Sequence, residues 1–163
     1  MTESLDTKRV LIVDDDAPTR TLIRRVLTRM KIAAPEEAAS GEQALERLAA
    51  ATPEIDLVIC DWTMPGMSGI ELFDRIRAVK PGLPFLMLTG RADIASVATA
   101  KNAGVPAYIV KPISPEELKT KIVVAAKREE DGRKLVDLDV SLANAEGEVK
   151  VVGQATAALP SRG

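Results

Sequence analysis

Val10-Leu11-Ile12-Val13-Asp14-Asp15-Asp16 is the stretch whose reading decides the fold. Four branched aliphatic residues in succession, without polar alternation, describe a strand buried on both faces, as strands of parallel sheets are. The same kind of run recurs as Leu57-Val58-Ile59-Cys60, Phe85-Leu86-Met87-Leu88 and Ala107-Tyr108-Ile109-Val110. Segments of helical period lie between them. Thr19 to Met30 carries Leu22, Ile23, Val26, Leu27 and Met30 on one side, with Arg20, Arg24, Arg25 and Arg29 elsewhere. Ser40-Gly-Glu-Gln43, Ser68-Gly-Ile-Glu71 and Ser114-Pro-Glu-Glu117 match the capping box that opens a helix, the last with Pro115 at the first helical position. Strands alternating with helices imply an α/β, doubly wound parallel sheet with helices on both faces. The second strand is the weak one. Ala33 to Ala39 contains Pro35 and two glutamates, which predicts a short strand at the sheet edge.

The chain has 163 residues, enough for one domain with a real core and an extra element. Apolar residues make up 46% and aromatics 2%, so the core is aliphatic and base-stacking platforms are not expected. With 24 acidic and 22 basic residues the chain lacks the overall cationic footprint of a nucleic-acid or membrane-surface binder. The absence of histidine excludes His-dependent triads, His-ligated zinc and phosphohistidine within this chain. Cys60 is the sole cysteine and makes no internal disulfide, which fits a reducing cytoplasm. The polar start, Met1 to Arg9, does not read as a signal peptide. The longest apolar run, Ile122 to Ala126, is five residues, far short of a membrane span.

In an open parallel sheet, ligands bind beyond the carboxyl ends of the strands. Asp14, Asp15 and Asp16 follow the first strand, Asp61 the third, Thr89 the fourth and Lys111 the fifth. Crowded carboxylates resist ionising together unless a hard cation joins them, and Mg²⁺ favours such oxygen ligands. A lysine and a threonine on the same rim suit the remaining oxygens of a phosphoryl group. The physical reading is a Mg²⁺-assisted phosphoryl site in which one aspartate could be the nucleophile.

These motifs, Val-Asp14-Asp15-Asp16, Asp61-Trp-Thr-Met-Pro65-Gly-Met-Ser-Gly69, Leu-Thr89-Gly and Tyr108-Ile-Val-Lys111-Pro112, resemble the receiver domain of two-component response regulators, of the single-domain, chemotaxis-regulator-like kind. The resemblance covers residues 8–128. It implies a flavodoxin-like sheet of order 2-1-3-4-5 with five helices. It makes Asp61 the phosphoacceptor, and Asp15, Asp61 and the backbone carbonyl of Thr63 ligands of Mg²⁺, with Asp14 acting largely through water. Lys111 would pair with Asp61 and then with the phosphoryl group. Thr89 would move to bond that group, and Tyr108 would swing inward in response. The Lys111–Pro112 bond would be cis. The donor would be a histidine kinase or histidine phosphotransferase, and the chain would modify itself without turnover, so it is not expected to be an enzyme.

Plainer roles stand beside these. Asp16 reads as a helix cap more than a metal ligand. Cys60 reads as a core residue, and Arg20, Arg24, Arg25 and Arg29 as a solvated helix face, some of it facing a partner. Thr63 and Arg91 occupy positions that vary within the family. Neither is suited to position an attacking water, so the acyl phosphate is expected to be moderately long-lived.

Residues 129–163 form an acidic C-terminal extension with seven acidic and four basic residues, too short for a DNA-binding or enzymatic output domain. Val136 to Leu142 and Val149 to Val152 suggest a β-hairpin over 135–152 with a frayed end. The leading functional expectation is a stand-alone receiver whose surface around the fourth helix, fifth strand and fifth helix signals to a downstream protein or to a second copy. A phosphorelay intermediate, or an adaptor acting through the hairpin, are the alternatives.

Overall fold

The computed structural model describes residues 5–32, 34–51, 54–90, 98–99 and 102–130. Chain order is β1 (Val10–Val13), α1 (Ala17–Arg29), β2 (Glu36–Ala38), α2 (Gly41–Ala50), β3 (Leu57–Asp61), α3 (Gly69–Val79), β4 (Phe85–Thr89), β5 (Ala107–Val110) and α4 (Pro115–Glu130). All strands are parallel, in the order β2-β1-β3-β4-β5, with Val13 opposite Cys60 and Asp61 opposite Leu88. The sheet is the doubly wound, flavodoxin-like one implied by the motifs. The expected fourth of five helices, between β4 and β5, lies largely outside the described residues, as do Arg91 and the hairpin at 135–152.

Each apolar run serves both layers, because successive side chains on a strand point to opposite faces. Val10, Ile12, Ile59, Leu86, Leu88 and Ile109 pack with Ile23 and Leu27 of α1 and with Leu118 and Ile122 of α4. Leu11, Val13, Val58, Cys60, Phe85 and Met87 pack with Ala44 and Leu48 of α2 and Leu72, Phe73 and Ile76 of α3. That is why the runs show no alternation. Phe73 and Phe85, the two phenylalanines, meet edge to face with centroids 5.1 Å apart.

The capping boxes are realised unequally. At α3 the box is complete: Ser68 Oγ accepts from the Glu71 N–H at 3.3 Å, and the Glu71 carboxylate accepts from the Ser68 N–H at 2.9 Å. At α2, Ser40 Oγ accepts from the Gln43 N–H, but the Gln43 side chain reaches one residue further back, to the Ala39 N–H at 2.9 Å. At α4, Ser114 Oγ accepts from the Glu117 N–H at 3.4 Å while its own hydrogen is directed to Glu116.

The two glutamates of the edge strand are accounted for by arginines from three sides. Glu36 pairs with Arg9 and, at 4.0 Å, with Arg47; Glu37 holds Arg20 at 3.1 Å and Arg24 at 3.0 Å. Arg20 is therefore not on the freely solvated face expected of it, and Arg24, though exposed, is paired. Both guanidinium groups tie β2 to α1 through Glu37, while Arg25 and Arg29 share the exposure of Arg24.

Candidate functional site

Backbone bonds place the site residues. Asp14 leaves β1 with its N–H donating to the Ala38 carbonyl of β2 at 3.1 Å. Asp61 is the last residue of β3, and the next residue, Trp62, donates its N–H to the Leu88 carbonyl at 2.7 Å. The Lys111 N–H donates to the carbonyl of Thr89, the last residue of β4, at 2.7 Å, and the Lys111–Pro112 bond is cis. Asp61 and Thr89 thus belong to the strands themselves, one residue further than the apolar runs suggest.

Asp14, Asp15 and Asp61 each bring a carboxylate oxygen within 4.8 Å of the others. Asp14 is wholly buried and Asp61 nearly so, while Asp15 is exposed. Lys111 Nζ lies 2.9 Å from Asp61 Oδ1 and 3.6 Å from Asp14 Oδ2. Asp14 Oδ1 accepts from the Asp16 N–H at 2.8 Å, but Oδ2 is buried with no hydrogen-bond partner. A buried carboxylate oxygen left without a donor is costly unless something outside the chain satisfies it. Three carboxylates with one such oxygen among them suit a hard divalent cation, so the donor set fits Mg²⁺.

The charges bear on one another accordingly. Burial pushes the Asp14 carboxyl up, against the Asp16 N–H; the Asp61 charge adds to the rise, while Lys111 opposes it. Burial works against the Lys111 ammonium, yet its hydrogen bond to Asp61 and the charges of Asp14 and Asp61 outweigh that and hold it above its ordinary range. Burial, aided by Asp61 and Asp14, pushes the Cys60 thiol well up, so it stays protonated and acts as a small core residue.

Asp16 is the N-cap of α1: its carboxylate accepts from the Thr19 hydroxyl at 2.6 Å and the Thr19 N–H at 2.9 Å. The Thr19 hydroxyl and N–H hold its carboxyl below the usual range. Thr63 is exposed on the loop after β3. That loop is closed by the Gly69 N–H donating to the Trp62 carbonyl at 2.8 Å. It requires Gly66 at φ +76°, in the left-handed region that glycine tolerates best. Thr89 is buried. Tyr108 lies opposite Met87, packs on the α2–α3 side and carries Lys121 Nζ 5.7 Å from its ring centroid. By the pleat, Thr89 and Tyr108 belong to the same sheet face.

One contact was not foreseen from sequence. Arg20 of α1 donates from Nη1 to the backbone carbonyl of Asp14 at 2.6 Å. Its spacing six residues after Asp14 is ordinary for a helix face, and only the packing of α1 back against β1 brings it there.

Fold and site together define a doubly wound α/β protein with a cation-competent carboxylate cluster at its strand ends. The family model described as "Response regulator receiver domain" matches residues 10–123. A "Chemotaxis protein CheY homolog" of Campylobacter jejuni is 39% identical over 116 residues, covering 70% of this chain and 88% of its own. The "Chemotaxis protein CheY1" of Helicobacter pylori is 38% identical over 118 residues, covering 71% and 94%. Among solved structures, the chemotaxis response regulator CheY4 of Vibrio cholerae is similar with a TM-score of 0.66 and 30% identity, covering 72% of this chain and 98% of that one. The chain belongs to the response regulator receiver domain family, and it is a CheY-like response regulator of two-component signalling. No helix among the described residues is long and apolar enough to cross a membrane.

Proposed function

We propose that this protein is a phosphoacceptor switch in which Asp61 takes a phosphoryl group in a Mg²⁺-dependent reaction. The single observation that carries the reading is Asp61 itself: nearly buried at the end of β3, bonded to Lys111 at 2.9 Å, and grouped with Asp14 and Asp15 within 4.8 Å. Asp15, Asp61 and the Thr63 carbonyl would hold the ion directly, with Asp14 acting largely through water. When bound, Mg²⁺ neutralises the crowded carboxylates and the equatorial oxygens of the phosphoryl group.

A carboxylate oxygen of Asp61 attacks phosphorus as the P–N bond to a donor histidine breaks, leaving an acyl phosphate on Asp61 and the electron pair on the imidazole. Lys111 exchanges its contact with the Asp61 carboxylate for one with the transferred phosphoryl oxygens. Thr89, on the adjacent strand end, donates its hydroxyl to the same group, and Tyr108 follows on the shared face. The donor is a histidine kinase or histidine phosphotransferase, a small acyl phosphate serving in its place, and the phosphorylated surface is read by a downstream protein in the cytoplasm. Because the group modified is the protein's own, no turnover is involved.

Trp62, the sole tryptophan and the neighbour of Asp61, is a built-in probe. Its fluorescence should change with millimolar Mg²⁺ and again with acetyl phosphate. Asp61→Asn should abolish the second change. A second change that persists in that variant would overturn the assignment of the acceptor.

A further inference from the structure

We infer that Arg20 is a positioning residue for the carboxylate cluster, holding Asp14 through its backbone so that Oδ2 faces the site. The inference rests on the reading of that cluster as a Mg²⁺ site. Three of the four polar atoms of Asp14 are anchored by hydrogen bonds. The N–H goes to the Ala38 carbonyl at 3.1 Å, the carbonyl accepts from Arg20 Nη1 at 2.6 Å, and Oδ1 accepts from the Asp16 N–H at 2.8 Å. The fourth, Oδ2, is the buried atom without a hydrogen-bond partner. An anchored residue whose remaining oxygen has no hydrogen bond and faces the Lys111 ammonium at 3.6 Å is what a preorganised ligand shell requires.

Arg20 adds a side-chain bridge to the backbone bond that already ties Asp14 to β2. Its Nε donates to Glu37 Oε2 of β2 at 3.1 Å, while Nη1 holds Asp14, so one planar group spans the edge strand and the residue after β1. Its side chain is 17% exposed, so this bridge is sheltered from competing water. Arg24 shares Glu37, at 3.0 Å from Oε1, but its bonded partner is Glu37 and it is 50% exposed. The two arginines therefore separate the positioning of Asp14 from the mere clamping of β2.

Charge and geometry predict opposite results. Removing a cation near a carboxylate cluster should tighten Mg²⁺ binding, whereas losing the anchor of Asp14 should weaken it. The experiment titrates MgCl₂ into the full chain and follows Trp62 fluorescence in wild type, Arg20→Ala, Arg20→Lys and Arg24→Ala, with urea unfolding of each. Arg20→Ala should weaken Mg²⁺ binding by roughly tenfold, the lower end of what outer-shell partners contribute to metal affinity. Arg20→Lys keeps the charge but has no planar fork to serve both partners. It should fall between wild type and Arg20→Ala, and it carries the test should Arg20→Ala fail to fold. Arg24→Ala should bind Mg²⁺ as wild type does, even where its urea midpoint falls. Unchanged or tighter binding in Arg20→Ala, or equal weakening in Arg24→Ala, would overturn the inference. A wild type whose fluorescence ignores Mg²⁺ would bring down the metal-site reading beneath it.

Discussion

Gly69→Ala tests how tightly the site is built. Gly69 is the first residue of α3, and a Cβ there would collide with the carbonyl oxygen of Asp61. It would also lie 2.9 Å from Met87 Sδ and 3.0 Å from Trp62 Cα. Two of these three obstacles are backbone, and that backbone is pinned by the Gly69 N–H to Trp62 carbonyl bond at 2.8 Å. On an open helix the change would stabilise by about 0.4–1 kcal/mol, by restricting the unfolded chain. Overpacking costs about 1–3 kcal/mol, and immovable neighbours put this case at the upper end. The net expectation is a loss of about 2 kcal/mol, or roughly 6–10 °C in Tm for a domain of this size. Because the displaced atom is the carbonyl of Asp61, Mg²⁺ binding should weaken as well. Urea unfolding followed by Trp62 fluorescence and far-UV circular dichroism measures the first effect. Gly82→Ala is the internal control, since a Cβ there meets nothing within 4 Å, and it should be neutral or slightly stabilising. A Gly69→Ala protein as stable as wild type would refute the reasoning.

Other expectations follow from the same contacts. Ser68→Ala breaks the complete capping box of α3 and should cost about 1 kcal/mol in urea unfolding, leaving the m-value unchanged. Leu86→Ala, at a wholly buried position between α1 and α4, should cost about 2–5 kcal/mol; a value under about 1 kcal/mol would mean that this layer collapses to fill the space. Lys111 is held above its ordinary value of 10.5 in the folded state, so its contribution is fully present below that pH and is lost as pH rises through the raised value. Urea midpoints across the alkaline range should therefore fall more steeply in wild type than in Lys111→Met. Parallel curves would show that the ion pair with Asp61 contributes nothing to stability.

Much of the architecture is legible in the residues because it depends on local chemistry. Val10–Val13, Leu57–Cys60, Phe85–Leu88 and Ala107–Val110 can bury both faces only in a covered parallel sheet, and the observed strands coincide with them or extend them by one residue. Pro35 and the glutamates mark β2 as the short edge strand, and the order β2-β1-β3-β4-β5 places it there. The carboxylates, hydroxyl and ammonium of the site are legible for a related reason: each directly follows or ends an apolar run, and parallel strands deliver all their ends to one rim.

What the residues conceal is pairing across elements. Nothing in Glu36-Glu37 indicates that arginines from α1, α2 and the segment before β1 will neutralise them. Arg20 reads as one of several cations on a helix, and so does Arg24. Side-chain partners at this range are chosen by how α1 sits on the sheet, a matter of packing against Ile23 and Leu27, and not of sequence spacing.

By itself, then, the sequence determined the layers, the strand order's weak edge and the chemical types on the rim, because burial periodicity and strand direction are local properties. Only the tertiary structure decided that Asp14 turns inward, that its Oδ2 is the oxygen left without a hydrogen bond, and that Arg20 holds its backbone. Those outcomes depend on distances of a few ångströms set by how β1, β2, β3 and α1 sit against one another. Close packing of the whole domain sets them.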